Sequence, residues 1–279
     1  MVTVDQSYQY CKRIARSRAK NFYYSFVLLS SQQRKAMCAI YAFMRYCDDL
    51  SDSDDVADRP AAIAGWQKDL DAALAGNPSE HPLWPAFTDS IQRYGIPHQY
   101  FHDMIRGISS DLEPRRIQTF QELYDYCYHV ASVVGLTIIH IFGFENPEAL
   151  RLAERCGVAF QLTNILRDVR EDAEHGRVYL PAEDLEKFGV KAEELAGPDL
   201  SPALRNLLAF EADRARAYYR EAEPLIGMVS SGSRASLKAL IGIYSRLLER
   251  ISNSGYQVLA GRVRVPAWEK LWILARCAI

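Results

Sequence analysis

Asp48 and Asp52 stand four residues apart at the end of the apolar segment AMCAIYAFMRYCDDLSD, and Asp168 and Asp172 repeat that spacing in GVAFQLTNILRDVREDAEHGRVYLP. On a helix, residues three and four apart share a face. Tyr41, Arg45, Asp48 and Asp52 therefore form one polar stripe, and Gln161, Asn164, Asp168 and Asp172 form a second. Carboxylates at this spacing repel each other, and burying them ionised costs far more unless a cation or hydrogen bonds compensate. An oxygen-rich donor set without thiolate or imidazole suits Mg²⁺, which keeps several waters, takes one or two protein carboxylates and bridges to phosphate. Two such stripes on opposed helices would hold cations between four carboxylates, chemistry that suits phosphate-bearing substrates.

Each feature also has a plainer reading. The acidic run continues through Asp54, Asp55 and Asp58, as a solvated helix end would. Gln161 and Asn164 either join two helices by hydrogen bonds or hold water, metal or phosphate beside the acids. Arg167 pairs either with diphosphate oxygens or with a neighbouring acid. Gly157, one turn before Gln161, permits close approach of another helix or of a ligand. His129 and His140 fall on an apolar stretch and read as satisfied core residues.

The elements that must position these groups read as helices. Segments with a 3.6-residue apolar period cover roughly 5–19, 31–50, 60–75, 82–94, 97–110, 119–143, 147–172, 201–227, 231–253 and 266–277. Gly76-Asn77-Pro78, Gly95-Ile96-Pro97 and Gly197-Pro198 punctuate them, and no sustained alternation supports strands. With 279 residues and no linker or repeat, the expectation is one all-α domain large enough to enclose a cavity.

Hydrophobic residues make up 49% and charged residues 24%, with a formal net charge of -2. That balance argues against disorder and against nucleic acid as a partner. The six cysteines form no CxxC pair and read as reduced core residues of a cytoplasmic protein. The N-terminus lacks an apolar signal core, and the nearly uncharged run Ala131–Phe144 is short for a bilayer of about 30 Å, so no transmembrane segment is expected. The apolar tail Trp268–Ile279 reads first as a closing core helix and second as a peripheral contact at the inner membrane face, useful for product release.

The motifs NFYYSF (21–26), AIYAFMRYCDDLSD (39–52), YCYHVASVVGL (126–136) and QLTNILRDVREDAEHGRVYLP (161–181) resemble the squalene/phytoene synthase family in order and spacing over nearly the whole chain. The resemblance implies an isoprenoid synthase fold, helices around a central hydrophobic cavity with the two aspartate motifs facing each other near its mouth. It implies Asp48, Asp52, Asp168 and Asp172, with Asn164, as Mg²⁺ ligands; Mn²⁺ is an expected substitute. Tyr41, Arg45, Gln161, Asn164 and Arg167 would bind diphosphate or metal-bound water. Tyr126 matches the family's active-site tyrosine, and Val130, Ala131, Val134 and Gly135 would line the channel for a prenyl tail. Tyr256 and Arg264 match more loosely as substrate contacts. Arg18, Lys20 and Asn21 are further diphosphate candidates, although the residues before Asn21 differ from those of some relatives, and a solvated basic helix end is the other reading.

The implied activity is a magnesium-dependent, head-to-head condensation of two prenyl diphosphates. NFYYSF and the chain length favour farnesyl diphosphate and the presqualene diphosphate or squalene type of the bacterial hopanoid pathway. Alternatives are a phytoene or dehydrosqualene synthase of carotenoid synthesis, and a catalytically silent member acting as an interaction protein. NADPH would enter only for the reductive step to squalene, and no nicotinamide fingerprint is found.

Overall fold

A computed structural model describes residues 2–18, 22–52, 56–112 and 115–278, apart from the side chains of Phe22 and Asp52. The chain winds through α1 (Val4–Arg18), α2 (Phe22–Phe26), α3 (Ser31–Asp52), α4 (Arg59–Leu74), α5 (Trp84–Tyr94), α6 (Gln99–Ser109) and α7 (Phe120–Cys127). A π turn, Tyr128–Ser132, joins α7 to α8 (Val133–Phe142) and is followed by α9 (Glu148–Glu174) and α10 (Ala182–Phe188). After a short 3₁₀ turn come α11 (Pro202–Ala222), α12 (Leu225–Met228), α13 (Ser231–Asn253) and α14 (Ala267–Ala278). Among the described residues there is no strand, and the isolated bridges Arg116–Val178 and Phe144–Val229 merely pin loops together.

Local chemistry fixes many boundaries. Asp58 caps α4 by accepting from the Ala61 amide at 2.9 Å, Thr119 caps α7 by accepting from Glu122, and α5 stops at Gly95 in the left-handed region. The expected helix 201–227 ends at Ala222 because Pro224 has no amide hydrogen to continue the ladder. The expected helix 119–143 is interrupted by the π turn. Helices α2 and α10 were not expected, being too short to develop a clear apolar period.

The buried side chains form two cores. One gathers α1, α3, α4, α5, α6 and α8, centred on Phe43, which stacks on Trp66 at 5.8 Å and on Phe87 at 4.6 Å. The other gathers α7, α10, α11 and the second halves of α9 and α13. Helix α9 belongs to both, contributing Leu152, Ala153 and Cys156 to the first and Val158, Leu162, Ile165 and Leu166 to the second. By length and composition alone Phe120–Phe142 would reach across a bilayer. It is instead packed on α6 and α9, with Leu123, Cys127, Ser132 and Val133 fully buried.

Candidate active site

The acid-bearing ends of α3 and α9 meet across one hollow. Its outer part, about 260 Å³, is lined by Asp48 and Ser51 from α3, Asp111 beyond α6, Tyr126 from α7, His129 and Val130 at the π turn, and Gln161, Asn164, Asp168 and Asp172 from α9. Arg177 and Tyr179, just past α9, close the same wall. Its inner part, about 240 Å³, continues from Met44, Asp48, Val130, Val134, Gln161 and Asn164 to Ala131, Gly135, Ile138, Gly157 and Phe160, ending on Leu225, Leu237, Leu240 and Tyr244. A polar mouth thus opens into an apolar pocket through shared residues.

The π turn sets that shared wall. An extra residue in the turn rotates the register, so that Val130 and Ala131 face the hollow along with Val134 and Gly135. Two glycines let neighbouring helices press against it. A Cβ on Gly157 would lie 2.5 Å from Ser132 Cα, and one on Gly107 would lie 2.9 Å from the His129 carbonyl group. The close approach expected at Gly157 is therefore to another stretch of backbone. Ser132 also donates to the Glu154 carbonyl at 2.8 Å, fixing the turn to α9.

The two acid stripes differ in their partners. On α9, Asp168 is held by Arg167, with Nε at 2.8 Å, and by Arg262, with Nε at 3.0 Å. Burial, reinforced by the nearby Asp168 charge, pushes the Asp172 carboxyl up to about 7. On α3, Arg45 pairs with Asp49, and burial drives the Tyr41 hydroxyl up to about 12. The side chain of Asp52 lies outside the described residues, although its backbone completes α3.

The donor set suits a hard divalent cation. Asn164 Oδ1 is buried with no hydrogen-bond partner, an acceptor oxygen on the same face as Asp168. Among the described residues no three His, Cys, Asp or Glu side chains cage a metal by themselves. Such an arrangement fits an ion that completes its shell with water and phosphate oxygens rather than with protein alone.

Other expected residues are distributed around this hollow. Tyr126 donates to Asp111 Oδ2 at 3.0 Å and stacks on Tyr179 at 4.7 Å, while Tyr179 donates to Asp111 Oδ1 at 2.9 Å. Arg264 is brought not to the mouth but to an adjoining basic pocket of about 310 Å³, lined also by Arg167, Arg262, Lys270 and Tyr244. Arg18 is exposed at the end of α1, near enough to Tyr41 to act on it electrostatically. Lys20 and Asn21 lie outside the described residues, as do Asp54 and Asp55. Tyr256 is not brought to the hollow. It sits at a left-handed turn with φ 63°, packs on the second core and interacts with Arg216.

Sequence reasoning overlooked Asp111, Arg177 and Tyr179. The last two lie in the HGRVYLP end of the second motif, and Asp111 carries no spacing signal because it reaches the tyrosines from beyond α6. His129 is corrected from core residue to mouth residue: it is half-buried and bonds the Asp125 carbonyl at 2.7 Å.

Comparison with known proteins agrees with this geometry. A model of the squalene/phytoene synthase family matches residues 15–269. The 15-cis-phytoene synthase of Synechococcus elongatus is 36% identical over 97% of this chain and 92% of its own length. That of Synechocystis is 35% identical over 98% and 84%. Among solved structures, a dehydrosqualene synthase in complex with ligand superposes with a TM-score of 0.91 at 29% identity, covering 98% of this chain and 96% of its own. A squalene synthase from Alicyclobacillus acidocaldarius gives 0.85 at 29% identity, covering 91% and 95%. An all-α body, Asp48 of α3 lining one hollow with Asp168 and Asp172 of α9, and a match along most of the chain together make this protein a member of the squalene/phytoene synthase family.

Proposed function

We propose that this chain joins two geranylgeranyl diphosphates head to head to give phytoene. The reaction class rests above all on the continuity of the hollow, in which Asp48, Gln161 and Asn164 border both the polar mouth and the apolar pocket. A diphosphate held at that border would send its prenyl tail inward. The choice of a C20 substrate is supported by the relatives, since proteins 34–36% identical over nearly the whole chain are phytoene synthases. This favours the carotenoid alternative over the farnesyl reading suggested by NFYYSF.

Asp48, Asp168, Asp172 and Asn164, joined by Asp52, would hold Mg²⁺. When bound, Mg²⁺ supplies charge neutralisation to the leaving diphosphate. Arg167, now turned to Asp168, and its neighbours Arg262, Arg264 and Lys270 offer guanidinium and ammonium groups to diphosphate oxygens. Loss of diphosphate from one substrate leaves an allylic cation, which the double bond of the second attacks; the resulting cation loses a proton to the released diphosphate as the ring closes, giving a cyclopropylcarbinyl diphosphate. The inner wall shelters such cations from water. Phe160 stacks on Tyr244 at 4.3 Å, and Tyr126 on Tyr179, so aromatic faces flank the hollow at both ends. Loss of the second diphosphate, rearrangement of the cyclopropylcarbinyl cation and a final proton loss end the sequence without a hydride donor, so phytoene formation proceeds without NADPH.

The C15 reading keeps two specific supports, the dehydrosqualene and squalene synthases whose structures superpose over 98% and 91% of this chain. Feeding the purified protein geranylgeranyl and farnesyl diphosphate separately, with Mg²⁺ and with or without NADPH, separates the two. The expected result is a C40 hydrocarbon from the C20 substrate regardless of NADPH. Exclusive C30 product from farnesyl diphosphate would overturn the assignment, and no product from either would remove the enzymatic reading.

A further inference from the structure

Three distant segments meet on one side chain at the mouth of the hollow. Asp111 stands in the turn after α6, Tyr126 comes from α7, and Tyr179 from the stretch beyond α9. Each phenol takes its own carboxylate oxygen: Tyr126 donates to Oδ2 at 3.0 Å and Tyr179 to Oδ1 at 2.9 Å. Both tyrosines are 5% exposed, and their rings lie 18° from parallel. The backbone ties the same junction, since Val178 accepts from the Ile117 amide at 3.2 Å and donates to the Arg115 carbonyl at 2.8 Å. Arg115, anchored to Ser110 Oγ at 2.8 Å, stands 5.1 Å from the Tyr126 ring centre.

An ionised carboxylate only accepts, and a phenol has a single proton to give. Burial raises the Asp111 carboxyl, while the two phenol hydrogen bonds and the charges of Arg177 and Arg115 oppose that rise. Burial, followed by the Asp111 charge, pushes both phenols well above their ordinary range, so each keeps its proton near neutrality. Both protons are spent on Asp111, and each O–H dipole points its positive end at the carboxylate. What the two tyrosines have left for the hollow they line is lone pairs and rings. We propose that Asp111 is a positioning residue: by accepting from both Tyr126 and Tyr179 it withholds their protons from the hollow and locks the stacked pair into its wall. The use of that arrangement, electron-rich oxygens and rings beside a cation, rests on the proposed function; the arrangement itself does not.

Proton NMR of the free chain tests the arrangement without substrate. Two slowly exchanging phenol signals are expected, one lost in Tyr126→Phe and the other in Tyr179→Phe. Asp111→Asn replaces one acceptor by an amide donor, so at least one of the two should vanish. Kinetics tests the consequence. Asp111→Asn should lower kcat by about 10- to 100-fold while KM stays within about threefold. The same substitution should cost no further turnover in Tyr126→Phe/Tyr179→Phe, where no hydroxyl is left for it to act through. Absence of the two signals in the original chain, or their survival in Asp111→Asn, would overturn the proposal. So would losses that simply add, or a rise in KM with kcat unchanged, which would make Asp111 a binding group in its own right. Should Asp111→Asn fail to fold, the original chain and the two phenylalanine variants still decide whether both protons are held. If neither prenyl diphosphate is consumed, the proposed function falls while the phenol signals stand, so the two readings fail separately.

Discussion

The two acid-bearing helices are seated by different forces. Helix α3 is gripped by aromatic packing, with Phe43 fully buried among Trp66, Phe87 and Phe101. Helix α9 is gripped by backbone proximity, through Gly157 against the π turn, and its acids are already engaged: Asp168 by two arginines, Asp172 by a raised proton affinity. On α3 the matching arginine, Arg45, is taken by Asp49. The same four-residue acid spacing is thus delivered by one helix whose position depends on side-chain volume and by another whose position depends on the lack of a side chain. Cation binding on α9 has two guanidinium contacts and a proton to displace.

The largest effect should come from the acids themselves. Asp48→Asn and Asp168→Asn are each expected to lower turnover of labelled prenyl diphosphate by on the order of 10²–10³-fold with the fold retained. Full activity in either would show that one helix suffices and break the pairing. Seating comes next. Phe43→Ala should destabilise the protein by about 3–5 kcal/mol as a core cavity opens, and Gly157→Ala by about 1–3 kcal/mol as α9 is pushed from Ser132; urea unfolding measures both. A cost for Gly157→Ala within error would mean that the π turn yields freely.

A smaller effect is set by pH. The Asp172 carboxyl is pushed up to about 7, so below that value it carries a proton which a divalent ion must expel. Mg²⁺ or Mn²⁺ affinity without substrate should therefore fall by up to about tenfold per pH unit below 7, and flatten above it. Calorimetry between pH 5.5 and about 8.5 measures the slope, which Asp172→Asn should abolish. The smallest effect belongs to Arg262→Ala. Its guanidinium is 42% exposed, so loss of the Asp168 pair should change stability by less than about 1 kcal/mol in thermal unfolding. A larger loss would mark Arg262 as a structural clamp on α9.

Much of this was legible from residue order because helices convert spacing into faces. The stripe Gln161, Asn164, Asp168 was readable, and it does line the mouth. The apolar wall Val130, Ala131, Val134, Gly135 came from the family resemblance, and the structure places it on the inner hollow as well. What spacing cannot convey is contact between distant segments. Asp111 meets Tyr126 and Tyr179 across gaps of 15 and 68 residues, and Arg262 meets Asp168 across 94. The π turn was hidden because one added residue inside an apolar run leaves the composition unchanged. Tyr256 was misplaced for the opposite reason: its left-handed turn aims it at Arg216, and no periodic pattern records a turn's direction.

Helix α9 runs unbroken for 27 residues, and both cores are welded to it. The two cores thus share one stiff axle, and a kink placed within it would upset the packing of both at once.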